Sequence, residues 1–516
     1  MPKYILCYAQ THESFRFPEL TELQKLSNVQ ISILHEYYEP TIPLIHIDCE
    51  SEEYVCKLVS RSVLIKKVVE YWTEGSNIEN LALNYKAINH INDFTESSHK
   101  FLIEGIGRSF SLPEQIEYIE KLNFFGFKGK INLKTPQQTF NLIFDYGPLV
   151  IKIDDISPDQ ENDNINKDNT CVTQKKKKKF LKNTNLITTT TIKPDINSFR
   201  KVYFGREITK ALTSRYLMNK YNLKTRKYLG NTSMEAEMSL IAANMASASP
   251  GKFIYDPFVG TGSLLLVCSE FGAYTFGSDI DGRQIRGTAG FRTGVGGINS
   301  NIKEYNLEPL ILGNFVADIT NCPIRPQAFL DAIITDPPYG VRAGAKKLGR
   351  KTGAVSARSL QLIDGIPNHA RDDYYPPTVP YEMSDVIVDL LTFAATFLVV
   401  GGRLVFWLPT VTEEYSDSDI PTNNHLKLIA NSEQNFGAWT RRLITMEKIL
   451  YQVPDLQNTQ EYPFADDFNK ISTESNQNYI KNISNTPEPM SQSESPAHKN
   501  FREKYFTGFE KLNLND

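Results

Sequence analysis

The feature that most restricts the fold of this chain lies near its centre. A short apolar strand, KFIYD (252–256), runs into PFVGTGS (257–263) and then into the apolar helical stretch LLLVCSEFG (264–272). Glycines in such a turn let the backbone approach a ligand, and the N–H groups that open the helix face it. Strand, glycine turn and helix in that order form a cofactor cradle in an α/β segment. The dinucleotide fingerprint GxGxxG is incomplete, because Leu265 stands where the third glycine would be. The turn therefore suits a ligand smaller than a pyrophosphate, such as the aminoacyl end of S-adenosylmethionine.

The next strand, AYTFGSDID (273–281), ends on two carboxylates. Asp279 sits where an acidic residue receives ribose hydroxyls, and Asp281 is the second choice for that role. In NFVADI (314–319), Asp318 is placed to meet the adenine amino group. Upstream, TSME (232–235) has the capping-box form, with Thr232 as the cap and Glu235 three residues on. The helix it predicts has an N-terminus that suits the cofactor carboxylate. The same helix puts Met234, Met238, Ile241 and Met245 on one face, most simply a core face. The expected cofactor-binding set is Thr232, Asp256, Phe258, Gly260, Gly262, Asp279, Asp281 and Asp318.

The segment DAIITDPPYGVR (331–342) carries the chemistry. A buried strand delivers Asp336-Pro337-Pro338-Tyr339 at its carboxyl end, where open α/β sheets bind ligands. An exocyclic amine conjugated to a ring is a poor nucleophile, since its lone pair is delocalised. Accepting its hydrogens on the Asp336 carboxylate and the Pro337 carbonyl localises that pair and aims it at a methyl donor. Tyr339 supplies an aromatic face for an extruded base. These three are the expected catalytic residues. Just beyond, Arg342, Lys346, Lys347, Arg350, Lys351 and Arg358 form a basic run. It reads equally as a phosphate-holding segment and as an ordinary charged loop.

A chain of 516 residues exceeds one core and divides by composition. Residues 1–156 read as α+β without a catalytic motif, with strands near 4–8, 44–47, 100–105 and 142–145 and helices near 18–26 and 113–122. Residues 157–198 contain a lysine run (175–179) and a threonine run (188–191) and are expected to be a disordered insertion. Residues 199–453 are regular, with a helix at 386–398 stopped by Gly401-Gly402 and a strand at 403–407. Residues 454–516 read as a polar tail with an aromatic docking segment near 501–509. Six cysteines without a CxxC pair argue against a disulfide framework or a zinc knuckle, and for a reducing compartment. The longest apolar run is too short to span a bilayer, so no membrane role is expected.

The DPPY sequence resembles the amino-methyltransferases that act on adenine, guanine or cytosine amines. YFGREI (203–208), RKYLGNTSMEAEMSLIAANMA (226–246), DPPYGVRAGAKKLGRK (336–351) and the terminal FREKYF (501–506) are similar to the catalytic subunits of the eukaryotic tRNA (guanine(10)-N2)-methyltransferases. The resemblance implies a ferredoxin-like lead-in at 1–50, a THUMP RNA-binding domain at 51–156 and a Rossmann-like class I methyltransferase domain at 199–453. It also implies S-adenosylmethionine as cofactor, tRNA as substrate, a small zinc-binding activator subunit as partner and a cytoplasmic location. DPPY alone would also permit an adenine-N6 methyltransferase. A catalytically silent RNA-binding subunit is the alternative of another class.

Overall fold

The computed structural model describes all residues except 87–93, 149–150, 155–187, 192, 231, 289–295, 341–343, 350–361, 369–370, 372–373, 375, 451–495 and 507–516. Met1–Glu13 and Ser27–Leu212 form one compact unit, and Ser14–Leu26 with Thr213–Glu510 form another.

The first unit contains β1 (Lys3–Tyr8), β2 (Ile31–Ile33), β3 (Leu44–Cys49), α2 (Glu52–Val59), β4 (Ile65–Gly75), α3 (Ile78–Tyr85), β5 (His99–Ile106), α4 (Leu112–Glu120), β6 (Gln138–Asp145), β7 (Ile151–Asp154), β8 (Thr188–Thr191) and β9 (Lys201–Lys210). Its main sheet has the order β2-β3-β1-β4-β9-β6-β5, and only β5 and β6 pair in parallel. One face carries an aromatic core in which Trp72, Tyr85, Tyr118, Phe140, Phe144 and Phe204 meet the apolar sides of α3 and α4. The start of α4 is a capping box: the Ser111 N–H donates to Glu114 Oε2 at 2.7 Å.

The threonine run differs from its expectation. Thr188–Thr191 is a strand, paired antiparallel with Ile151–Asp154. Four β-branched residues suit a pleated backbone, and two isoleucines lie in the strand opposite. The expected insertion thus extends no further than residue 187 on this side, and the lysine run at 175–179 lies outside the described residues.

The helix expected near 18–26 forms as α1 (Arg16–Ser27), yet it is almost wholly part of the second unit. Leu20 and Leu23 are buried, and Phe15 packs on Trp407 with ring centroids 6.3 Å apart. Its buried acids are answered: Glu19 accepts from Asn244 Nδ2 at 2.9 Å, and Glu22 accepts from the Ser247 hydroxyl and from Arg403 Nη2. Arg403 also reaches Glu447 at 3.0 Å. Residues 1–50 are therefore not one structural piece.

The rest of the second unit runs α5 (Leu212–Lys220), α6 (Ala236–Met245), β10 (Phe253–Asp256), α7 (Ser263–Glu270), β11 (Tyr274–Asp279), α8 (Gly282–Arg286), α9 (Ile298–Glu304), β12 (Ile311–Val316), β13 (Leu330–Thr335), β14 (Lys346–Leu348), β15 (Leu362–Ile363), β16 (Ile366–Pro367), β17 (Thr378–Pro380), α10 (Met383–Phe397), β18 (Leu398–Val411), β19 (Leu426–Asn435) and β20 (Trp439–Lys448). The sheet order is β12-β11-β10-β13-β18-β20-β19, parallel from β12 to β18 and antiparallel for the last hairpin. Helix α10 buries Val386, Leu390 and Ala394 against β13 and β18.

The helix stop differs from the expected one. α10 ends at Phe397, and Gly401-Gly402 lie within β18, where its register against β13 shifts between Leu398 and Arg403. A Cβ at Gly402 would come within 2.8 Å of the Val399 carbonyl oxygen, so the glycines serve a bulge.

Candidate active site

Numbered within its own sheet, the second unit has strand order 3-2-1-4-5-7-6, and the order reverses between β10 and β13. Ligands bind parallel sheets at such a reversal, outside the carboxyl ends of the strands. The glycine turn leaves β10 and the DPPY loop leaves β13, so the two motifs become neighbours there although 80 residues separate Asp256 from Asp336. Asp256 ties the two strand ends together. Its Oδ1 accepts from the Phe258 N–H at 3.0 Å and from Thr335 Oγ1 at 2.6 Å. Burial pushes this carboxyl up to about 7, against the pull of those two donors.

Gly260 and Gly262 both have left-handed φ values, +51° and +82°. A Cβ on Gly262 would also sit 3.2 Å from Ile298 Cγ2, so the turn needs glycine for conformation and for space. Asp279 closes the cradle: its Oδ2 accepts from the Gly260 N–H at 3.0 Å and its Oδ1 from the Asp281 N–H at 2.8 Å. Burial raises the Asp279 carboxyl to about 6, with the backbone donors opposing the shift. Phe258 packs partly buried beside the α10 core.

Asp281 is occupied differently. It caps α8 by accepting from the Arg283 N–H at 3.1 Å, and both its oxygens take Arg283 guanidinium donors at 2.8 Å. Asp318 accepts from the Thr320 N–H at 3.0 Å and the Leu348 N–H at 2.6 Å, which ties β14 to the end of β12.

The capping box expected at Thr232 is not formed. Helix α6 starts at Ala236, its cap residue is Glu235 and no side chain caps it. Ser233 is used elsewhere: its hydroxyl accepts from the Gly230 N–H at 3.0 Å and lies 2.7 Å from Thr261 Oγ1. Thr232 is exposed beside that contact. Met234, Met238, Ile241 and Met245 are all buried, but Met234 precedes α6, and α6 is buried on nearly every side and not on one face alone.

At the DPPY loop, the Tyr339 hydroxyl donates to Asp336 Oδ1, and Pro337 is buried. Burial pushes the Asp336 carboxyl up to about 7, while the Arg441 guanidinium pulls it down. Arg441 and Trp407 have no motif signal and escape sequence reading. Phe406 pairs with Thr335 and Arg441 pairs with Pro409, so a cross-strand ladder brings them to this end of the sheet. The Arg441 guanidinium lies 4.4 Å from the Trp407 ring centroid and donates to Gln434 Oε1 at 2.6 Å. Of the basic run, Lys346 is exposed on β14 and Lys347 lies 4.8 Å from the Tyr381 ring centroid. Arg342, Arg350, Lys351 and Arg358 lie outside the described residues.

A parallel sheet of this order, with a glycine cradle and an Asp-Pro-Pro-Tyr loop side by side at its reversal, defines a Rossmann-like methyltransferase domain. Residues 224–354 match the RMKL-like methyltransferase domain model, and residues 2–160 match the Tmrp11 THUMP N-terminal domain model. A Schizosaccharomyces pombe tRNA (guanine(10)-N(2))-methyltransferase is 34% identical over 98% of this chain and 97% of its own. The Homo sapiens protein of the same name is 32% identical over 99% of this chain and 96% of its own. Among solved structures, TrmN from Thermus thermophilus aligns over 87% of this chain and 100% of its own, with 14% identity and a TM-score of 0.41. The chain belongs to the tRNA (guanine(10)-N2)-methyltransferase family.

Proposed function

We propose that this protein transfers a methyl group from S-adenosylmethionine to the exocyclic N2 amine of guanine 10 in tRNA. The observation that carries the reading is the juxtaposition of the glycine cradle with the Asp336 loop at the sheet reversal, in a chain related over almost its whole length to enzymes of that name. The cradle fits the cofactor: two left-handed glycines leave room for an aminoacyl group, and the Asp279 carboxylate is a suitable ribose acceptor. When bound, S-adenosylmethionine supplies an electrophilic methyl on a sulfonium.

The chain's own residues prepare the amine. Guanine presents N1–H and N2–H donors side by side, and the Asp336 carboxylate accepts from that edge while the Pro337 carbonyl takes the second N2 hydrogen. The lone pair is then held out of conjugation and pointed across the site. Tyr339 donates to the same carboxylate, so its hydroxyl holds Asp336 in place until the base displaces it. A carboxyl pushed up to about 7 is basic enough for its Oδ to take the proton that N2 sheds after methylation. Adenine offers a ring acceptor beside its amine, which faces a carboxylate poorly, and the relatives are guanine enzymes. The full set of site residues also stands against the silent-subunit alternative.

The partner reading is a small zinc-binding activator subunit, with the complex in the cytoplasm. The outer strand β12 supports a partner: it ends the sheet and exposes Leu312 and Val316. Among the described residues no helix is long and apolar enough to cross a membrane. The test is methylation of a tRNA transcript with labelled cofactor by the complex, followed by nucleoside analysis. N2-methylguanosine at position 10 is expected, and label on adenosine or at another guanosine would defeat the reading.

A further inference from the structure

The terminal motif FREKYF has no part in the chemistry described so far, yet it is firmly seated. Phe501 is buried at 2% exposure, with its ring centroid 6.0 Å from that of Trp439 and 5.9 Å from that of Tyr505. Trp439 stacks in turn on Phe436 at 4.4 Å. Lys504 Nζ lies 2.6 Å from Glu414, and Ala497 and His498 are buried just before the helical residues 501–506. An aromatic anchor and an ion pair thus fix this segment on the second unit.

Arg502 is the consequence of that seating. It is exposed and has no ion pair among the described residues. Its aliphatic stem runs over Gly340, the residue after Tyr339: a Cβ built at Gly340 would lie 3.5 Å from both Cβ and Cδ of Arg502. Gly340 also has φ +81°, a left-handed conformation that favours glycine beneath the arginine stem. A base that reaches Asp336 from a folded RNA must be swung out of its stack, and this brings its flanking phosphates to the lip of the pocket. A guanidinium suits a phosphate through two parallel donors, and phosphate contacts set register without reading sequence.

We propose that Arg502 is a substrate-positioning residue that grips a phosphate next to the target guanosine, and that the terminal segment exists to carry it over the catalytic loop. The proposal rests on Asp336 marking the site of chemistry. The test uses the full chain with its partner subunit and steady-state kinetics on tRNA. Arg502→Leu keeps the apolar stem and should lower kcat/KM for tRNA about tenfold, the loss expected for one charge-assisted contact. Arg502→Glu should lower it further, and Arg502→Lys, which keeps the charge but not the paired donors, should lose less than Arg502→Leu. The salt slope of tRNA binding should fall by about one for Arg502→Leu, with KM for the cofactor unchanged. Phe501→Ser, which loosens the anchor, should reproduce the tRNA defect. Unchanged kcat/KM in Arg502→Leu overturns the proposal. So does a loss in Arg502→Leu that comes with a lower melting temperature and an unchanged salt slope, since Arg502 would then only pack on Gly340. Asp336→Ala run in parallel separates the two readings: if it stays active the site assignment fails, whatever Arg502 does.

Discussion

The carboxylates on the two sides of the site differ in whether the backbone holds them. On the proposed cofactor side, Asp256, Asp279, Asp281 and Asp318 each accept from at least one backbone N–H, with the Thr335 hydroxyl added at Asp256 and the Arg283 guanidinium at Asp281. On the substrate side, Asp336 accepts from a side-chain hydroxyl, that of Tyr339. Backbone donors are built into the fold and stay where they are. A tyrosine hydroxyl can rotate away. The difference separates a preformed cradle from a carboxylate kept ready for exchange, and each side is expected to fail in its own way.

The largest effect should come from a change outside both sets. A chain beginning at residue 199 lacks α1, and with it the buried Phe15, Leu20 and Leu23, each worth about 1.5–3 kcal/mol. Asn244, Ser247 and Arg403 would also lose partners. Such a chain should lose cooperative melting and cofactor binding together. A truncated protein that melts like the full chain would show that both carboxylate sets stand without α1.

Asp336→Ala should lower the methylation rate by about 100-fold or more while leaving cofactor affinity nearly intact, because it removes a positioned acceptor of the amine. Turnover near wild type would end its catalytic assignment. Asp279→Ala should show the converse. Losing a charged acceptor of the ribose costs roughly 1.5–3 kcal/mol, and the Gly260 N–H loses its partner as well. Unchanged affinity by calorimetry would move the ribose role elsewhere.

The pH dependence sharpens the contrast. In the proposed role Asp336 would accept from the amine only when ionised, and its carboxyl is pushed up to about 7. The kcat/KM for tRNA at saturating cofactor should therefore rise about tenfold per pH unit below the inflection and level off above it. Tyr339→Phe removes a donor to the charged form, so the inflection should move to higher pH. The same variant should change the plateau rate by less than about tenfold, since the base replaces the hydroxyl in the working complex. An inflection that Tyr339→Phe does not move would belong to another group, with Asp256 the nearest candidate.

The two motifs were legible because their chemistry is local. A glycine turn between strand and helix needs its residues adjacent in sequence, and so does Asp-Pro-Pro-Tyr at a strand end. The roles of Asp281 and Asp318 were less legible. Each stands at a strand end with an acidic side chain, like Asp279, but a capping arginine two residues on and a strand 30 residues on engage them. Thr232 shows the limit of a local rule: the capping-box spacing is present, yet Ser233 is drawn to Thr261 across the site and the helix starts later.

From sequence alone, this protein's strand–loop–helix order, its two site loops and its amphipathic helices were determined, because turn chemistry and side-chain periodicity act over a few residues. Only the tertiary structure decided which surface each element covers. Helix α1 reads as an ordinary helix between two strands, and nothing in its spacing says that its acids are matched by Asn244 and Arg403 more than 200 residues away. Trp407, Arg441 and Arg502 reach the Asp336 end of the sheet by strand pairing and by the seating of Phe501. Such contacts depend on long-range complementarity of shape and charge, which no short window of sequence contains.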